Sequence, residues 1–268
     1  MSTIFDDKQE AIKQWTEDPC GKIGANGIEE GTLEFYERIN QNRYQEYAPW
    51  MKEAMGFDQY RGKKILEIGF GMGTDLFQFA SNGAKVYGID LSPKHFEITQ
   101  KRFNIYGLNA NIQLADAENM PFEDESFDVV YSFGVIHHTP NMQKTIEETF
   151  RVLKPGGKAI ISVYNKNSAH YYFVLMAKYI LFLRFLRESY RRTLSRIEYR
   201  ANSDACPLVI LSSKKEYAKR FSVFREISIE CHHLHAHDFG PFKKIIPASW
   251  VKNLESKLGW YLVAKCTK

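Results

Sequence analysis

Five side chains in this sequence have types and spacing suited to chemistry: Glu67, Asp90, Asp116 and the neighbours His137 and His138. Each lies in or just behind a short apolar run. Glu67 precedes the alternate glycines Gly69, Gly71 and Gly73, which join an apolar run (Ile65, Leu66, Ile68) to a helical pattern from Thr74 to Ala80. Strand, glycine turn and helix in that order present a nucleotide-like ligand at the carboxyl edge of an α/β sheet. Asp90 follows Gly69 by 21 positions, the spacing at which an acid ending a second strand meets ribose hydroxyls, and one carboxylate accepts from both. Asp116 ends a third run and is placed to accept from an adenine amino group. Histidine changes charge near neutrality, so His137 or His138 is a candidate general base at the same edge.

The ligand class follows from what the glycine turn lacks. Thr74 stands where a dinucleotide fingerprint has its third glycine, and no lysine follows as a phosphate-cradling loop requires. From Ile65 to Asn82 there is no Lys or Arg, whereas Glu67 and Asp75 are acidic. The crevice suits a phosphate-free ligand with some positive charge.

The elements that must position these groups read as five β/α units. Apolar runs at 65–68, 84–90, 111–116, 127–133 and 158–164 alternate with helical patterns, which implies a mostly parallel sheet with right-handed crossovers. Residues 1–31 are polar and broken by Pro19 and several glycines; from Thr32 a helical stripe of Leu33, Tyr36, Ile39, Tyr44 and Tyr47 runs to Pro49. It either adds core area or forms a lid in which Tyr36 and Arg43 face the cofactor, with Arg43 offering its forked donors to a carboxylate.

The chain of 268 residues, 44% hydrophobic, is long enough for one large α/β domain with an insertion. Its net charge of +4 is too mild to argue for nucleic acid. Cys20, Cys206, Cys231 and Cys266 are far apart, which suggests reduced thiols in a cytoplasmic protein rather than zinc or disulfides. No signal peptide or spanning helix is evident; the longest apolar run, 171–186, contains Lys178 and Arg184.

These residues resemble the class I S-adenosylmethionine-dependent methyltransferases, in particular the type 11 group that includes ubiquinone- and menaquinone-biosynthesis enzymes. The resemblance rests on Glu67-x-Gly69-x-Gly71-x-Gly73, Asp90-Leu91-Ser92, Asp116-Ala117-Glu118 with Pro121-Phe122, Phe127-Asp128-x-Val130, His137-His138 and Arg151 through Gly157, over roughly 60–164. It implies S-adenosyl-L-methionine as cofactor. It implies amino acid contacts along the Gly69–Gly73 backbone behind Glu67, ribose contacts from Asp90 beside Leu91, adenine contacts from Asp116 and Ala117, and a methionine side lined by Ser132 and Phe133; the lid residues Tyr36 and Arg43, read from the helical stripe, complete the expected cofactor-binding set. Phe70 departs from the small residue usual at that position. The implied fold is a Rossmann-like sheet of seven strands, the last antiparallel, with helices on both faces. Arg225 to His232 and Trp260 to Cys266 are the expected sixth and seventh strands, with Gly259 at a hairpin turn.

The chain is therefore expected to be one methyltransferase domain, with a helical lid (1–59), a cofactor core (60–164), a helical substrate cap inserted after the fifth strand (165–212) and a C-terminal helix and strands (213–268). In the insertion an apolar stretch from His170 to Leu186 is followed by arginines. Arg184, Arg187 and Arg191 would share one helical face, and Arg192, Arg196 and Arg200 another. Such a helix can cap a pocket, mediate a homodimer of an otherwise monomeric chain, or rest on a membrane through 170–200. Ser213 to Glu216 forms a capping box. His233, His235 and His237 would share a strand face, as metal ligands, as pocket residues or as an exposed stretch; no metal is called for.

The expected activity is methyl transfer to a small-molecule acceptor, most naturally oxygen on a hydrophobic, phenolic or sugar-containing metabolite. A nicotinamide-dependent oxidoreductase is the competing enzyme reading, opposed by Thr74; a non-catalytic cofactor-binding subunit is a third.

Overall fold

Successive side chains of the central strands pass to opposite faces, and both faces are buried. Leu66, Val130 and Ile161 enter one core cluster, while Ile65, Val129, Tyr131 and Ile160 enter another. A sheet buried on both sides must be covered by helices on both sides. The computed structural model, which describes residues 6–198 and 205–268, has that architecture.

The elements are α1 (Asp7–Glu17), α2 (Leu33–Gln41), α3 (Met51–Met55), β1 (Lys64–Ile68), α4 (Thr74–Ser81), β2 (Lys85–Asp90), α5 (Pro93–Ile105), β3 (Asn111–Leu114), β4 (Phe127–Phe133), α6 (Met142–Val152) and β5 (Leu153–Tyr164). After the insertion, with α7 (Ala177–Leu181) and α8 (Tyr190–Ser195), come α9 (Lys214–Arg220), β6 (Arg225–His232), α10 (Ala248–Leu258) and β7 (Tyr261–Thr267). The strand order is β3-β2-β1-β4-β5-β7-β6. β1 to β5 are mutually parallel and β7 runs antiparallel to both neighbours. The order reverses between β1 and β4, which places a ligand crevice beyond the carboxyl ends of those strands.

Several expectations are corrected by the structure. The polar stretch 1–31 contains α1, started by the Asp6 carboxylate accepting from the amides of Lys8 and Gln9. β5 begins at Leu153, ahead of the apolar run expected at 158–164. Gly156 donates to the Lys268 carbonyl and the Lys268 amide to Gly157, so the end of the chain draws these residues into the sheet. Gly259 forms no hairpin, because 233–258 separates β6 from β7; it ends α10, where a Cβ would lie 2.4 Å from the His232 carbonyl.

The apolar stretch of the insertion is not one helix. A π-helical start (170–176) runs into α7, and the chain turns over at Leu183, whose φ is 49°. Arg187 and Arg191 therefore share no continuous helical face; Arg191 instead reaches Asp7 at 2.6 Å. Arg200 and the side chain of Arg184 lie outside the described residues. Ser213 does form its capping box with Glu216.

Candidate active site at the carboxyl edge of the sheet

The turn after β1 exists in this form because its glycines are required. Gly69 has φ 71°, and a Cβ there would lie 2.3 Å from Val135; a Cβ on Gly73 (φ 68°) would lie 2.6 Å from Thr99. Gly71, with φ 52°, faces open space, which leaves its backbone approachable. The Gly71 amide donates to Asp90 Oδ2 at 3.0 Å, tying the turn to the tip of β2. Asp90 also accepts from the Ser92 amide at 2.8 Å and lies 3.1 Å from His95 Nδ1. Leu91, half-buried, follows it.

The other acids behave differently from one another. Asp75, read in the sequence as part of the crevice's negative charge, is buried and fully engaged. It receives Arg43 Nε at 3.2 Å and Nη2 at 2.6 Å, the Tyr44 hydroxyl at 2.6 Å and the Tyr131 hydroxyl at 2.7 Å. Glu67 is buried with Oε2 unpartnered; burial and then the Asp75 carboxylate push its pKa well above the usual range. An ammonium or sulfonium beside Glu67 would relieve that burial. Together with the open Gly71 backbone, this orphaned carboxyl fits a positively charged, phosphate-free ligand.

Asp116 turns its own loop, accepting from the Glu118 amide at 2.9 Å, and also meets Lys8 Nζ at 2.5 Å. Ala117 beside it is buried. Ser132 donates to the Ile68 carbonyl at 3.0 Å, and Phe133 lies 4.5 Å beneath the Arg43 guanidinium. Tyr36 is enclosed between α2 and α5, with its hydroxyl on the Ile98 carbonyl at 2.7 Å.

His137 and His138 form a 3-10 turn just past β4 and are both buried. Their rings lie 4.2 Å apart, and that of His137 packs 4.1 Å from Tyr164 at the end of β5. Burial, and then His138, hold the His137 pKa well below its usual value, so it stays neutral; neither ring nitrogen has a partner. The chain returning from the insertion braces the pair. The Ile210 amide donates to the His137 carbonyl, and His138 Nδ1 lies 2.6 Å from the Leu208 carbonyl. Glu198, which no motif or spacing singles out, lies 3.7 Å from His138 Nε2 and accepts from the Tyr164 hydroxyl at 2.6 Å.

α1 closes the edge. Lys8 bridges Asp116 and Glu118, the Trp15 ring stands edge-on 5.4 Å from His138, and the Trp15 carbonyl accepts from Ser92. On its other side Glu10 accepts from the Cys206 amide and Gln14 donates to the Glu198 carbonyl. Lys8 and Trp15 carried no signal in the sequence, because nothing in a polar terminal stretch marks its contacts. Two clefts at the opposite edge of the sheet, around Glu226 and Thr267, touch none of these residues.

The histidine cluster of β6 does not share a strand face. The strand ends at His232, which stacks on Trp50 at 4.4 Å, and His233 (φ 68°) turns in beside Tyr47. His235 and His237 stack on each other at 5.1 Å in the following 3-10 turn. Among the described residues, a side-chain cluster with metal-ligand types is instead His137, His138 and Glu198.

Comparison with known proteins agrees with this geometry. A family described as "Methyltransferase domain" matches residues 66–161. A sterol 4-C-methyltransferase of Caenorhabditis elegans is 37% identical over 115 residues, 40% of this chain and 34% of that protein. A ubiquinone biosynthesis O-methyltransferase of Pseudomonas fluorescens is 34% identical over 134 residues, 49% of this chain and 56% of that protein. The chain thus spans from a third to just over half of these curated relatives. In fold, it superposes with a TM-score of 0.55 on a structure of a Haloferax volcanii putative methyltransferase in complex with the Trm112 activator, at 15% identity, covering 89% of this chain and 96% of that one.

Proposed function

We propose that this chain, a class I S-adenosylmethionine-dependent methyltransferase related to the ubiquinone-biosynthesis-like group, transfers a methyl group to oxygen on a small hydrophobic or phenolic metabolite. The observation that carries the reading is the buried, neutral His137 beside His138, at the strand edge next to the glycine turn and under an apolar insertion. In the reading, the Gly69–Gly73 turn and Glu67 hold the amino acid end of the cofactor, Asp90 and Leu91 the ribose, Asp116 and Ala117 the adenine, and Ser132 and Phe133 the methionine side. When bound, S-adenosylmethionine supplies an electrophilic methyl on a sulfonium. The chain's own part is alignment, exclusion of water by α1 and Trp15, and acceptance of the acceptor's proton by the histidine pair. Tyr36 and Arg43 act behind this layer, through α5 and Asp75.

The hydrophobic character of the acceptor is supported by the insertion. Ile180, Leu181, Phe182 and Leu186 are exposed, as are Ile245 and Trp250 of the neighbouring C-terminal segment, with Lys178, Lys243 and Lys244 among them. Exposed apolar side chains with lysines close to them in sequence suit contact with an anionic lipid surface from which such an acceptor is drawn. Among the described residues, no helix is long and apolar enough to cross a membrane. Cys206, Cys231 and Cys266 are buried thiols outside any disulfide, which fits a reducing compartment. The names of two relatives, a sterol 4-C-methyltransferase and a ubiquinone biosynthesis O-methyltransferase, support an apolar acceptor.

Incubation with methyl-labelled cofactor and a panel of alkyl phenols, catechols, sterols and hydrophilic amines tests the reading. Label is expected on the hydroxylated apolar members; label only on the amines would overturn it.

A further inference from the structure

His137, His138 and Glu198 converge where the insertion closes over the tip of β4, with one donor atom from each within 4.8 Å of the others. Both histidines are buried, and the Glu198 side chain is 9% exposed. His138 Nδ1 lies 2.6 Å from the Leu208 carbonyl, which only accepts, so in the neutral ring Nδ1 carries the proton and Nε2 the lone pair. Nε2 makes no hydrogen bond and faces Glu198 Oε1 at 3.7 Å. His137 adds two ring nitrogens, neither with a partner among the described residues. Buried acceptors gathered at one point without donors need an explanation, and a shared cation supplies one.

The geometry points to a zinc site ligated by His138 Nε2, one ring nitrogen of His137 and the Glu198 carboxylate. Two imidazoles and a carboxylate suit zinc and its transition-metal neighbours, whereas calcium and magnesium take oxygen donors. Zinc bonds such ligands at about 2.0–2.2 Å, which sets tetrahedral donors about 3.3 Å apart. His138 Nε2 and Glu198 Oε1 are near that spacing already, and the trio has to close by no more than about 1.5 Å. The outer contacts are those a metal site needs. Leu208 fixes the tautomer and tilt of His138, Tyr164 donates to Glu198 Oε1 at 2.6 Å, and the Ile210 amide holds the His137 carbonyl. The histidines come from the turn after β4 and the glutamate from the insertion, so the ion ties the cap to the sheet. It also occupies lone pairs that the methyl-transfer reading gives to the acceptor's proton, which makes the loaded chain a resting form.

The inference goes beyond that reading and is measured with zinc alone, without cofactor or acceptor, so either can fail while the other stands. The full chain is stripped with chelator, titrated with zinc chloride, desalted and assayed for metal by elemental analysis. Stoichiometric zinc is expected to stay bound; a chain that retains none would overturn the site. Zinc-edge X-ray absorption of the unsubstituted protein reads the donors directly. Two imidazoles with oxygen are expected; a sulfur donor or a third imidazole would move the ion to the cysteines or to the 232–237 histidines and overturn the assignment. Glu198→Gln keeps the shape and can still accept from Tyr164, yet removes the anionic ligand. Its zinc affinity is expected to fall by about tenfold or more, since even the outer contacts of a metal site are worth about 10- to 100-fold. His235→Gln combined with His237→Gln is expected to leave the affinity unchanged. Equal affinity in wild type and Glu198→Gln, or its loss in the double variant, would contradict the site.

Discussion

Arg43 meets Asp75 through two parallel hydrogen bonds, from Nε at 3.2 Å and Nη2 at 2.6 Å, in a cluster closed by the Tyr44 and Tyr131 hydroxyls. A forked guanidinium matches a carboxylate in that way, and a lysine cannot. The sequence expectation has Arg43 free to meet a cofactor carboxylate; in the structure its donors serve Asp75, in the first turn of α4. Arg43→Ala leaves a buried carboxylate facing two hydroxyls and is expected to lower stability by about 3–5 kcal/mol. Arg43→Lys should fall between. Denaturant unfolding measures both. Unchanged stability with weakened cofactor binding would return Arg43 to the direct role.

Asp90 joins the glycine turn to the start of α5 through Gly71 and Ser92. In Asp90→Ala these amides lose a charged acceptor and the proposed ribose contact disappears. Hydrogen bonds to a charged group contribute about 1.5–3 kcal/mol, so cofactor affinity should weaken roughly 10- to 100-fold. Calorimetric titration of the variant checks this; an unaltered dissociation constant would remove Asp90 from the ribose site.

Lys8 ties α1 to Asp116 and Glu118 with contacts of 2.5 and 2.8 Å. The pair is partly exposed and contributes under about 1 kcal/mol. Lys8→Ala is therefore expected to raise the cofactor dissociation rate by no more than about fivefold, read by stopped-flow fluorescence of Trp15. A rate unchanged within error would mean that α1 is held by its contacts with the insertion alone.

His233 is buried, and desolvation lowers its pKa to about 4 from 6.5. The folded chain thus refuses a proton that the unfolded chain accepts between those values. Stability is full above pH 6.5 and is lost as the pH falls toward 4, by roughly 3 kcal/mol at the lower end. His137, displaced in the same direction, adds to the acid sensitivity. Urea unfolding at pH 7.5 and 4.5 measures the loss, and His233→Gln should reduce the difference between the two. An equal difference in wild type and variant would show that His233 is not its source.

The sheet was legible in the sequence because each strand leaves a local trace: an apolar run bounded by glycine or an acid. The predicted Phe127–Phe133 strand coincides with β4, and β6 with Arg225–His232. What did not show were relations between distant positions. The pairing of Lys8 with Asp116 spans 108 residues and that of Gln14 with Glu198 spans 184, and neither leaves a periodic signature. α1 was missed because it is a polar helix with only Ala11 and Gln14 buried. The insertion reads as one helix because apolar residues dominate it from end to end, while the reversal at Leu183 is a backbone event that composition does not encode.

The central claim is that a phosphate-free adenosyl sulfonium occupies the edge bounded by Glu67, Asp90 and Asp116. Titration calorimetry of the purified chain against S-adenosylmethionine, NADH and ATP addresses it most directly. The account predicts saturable one-to-one heat with S-adenosylmethionine, weakened in Asp90→Ala, and none with the two phosphate-bearing ligands. Tight binding of NADH or ATP with no heat from S-adenosylmethionine would contradict it.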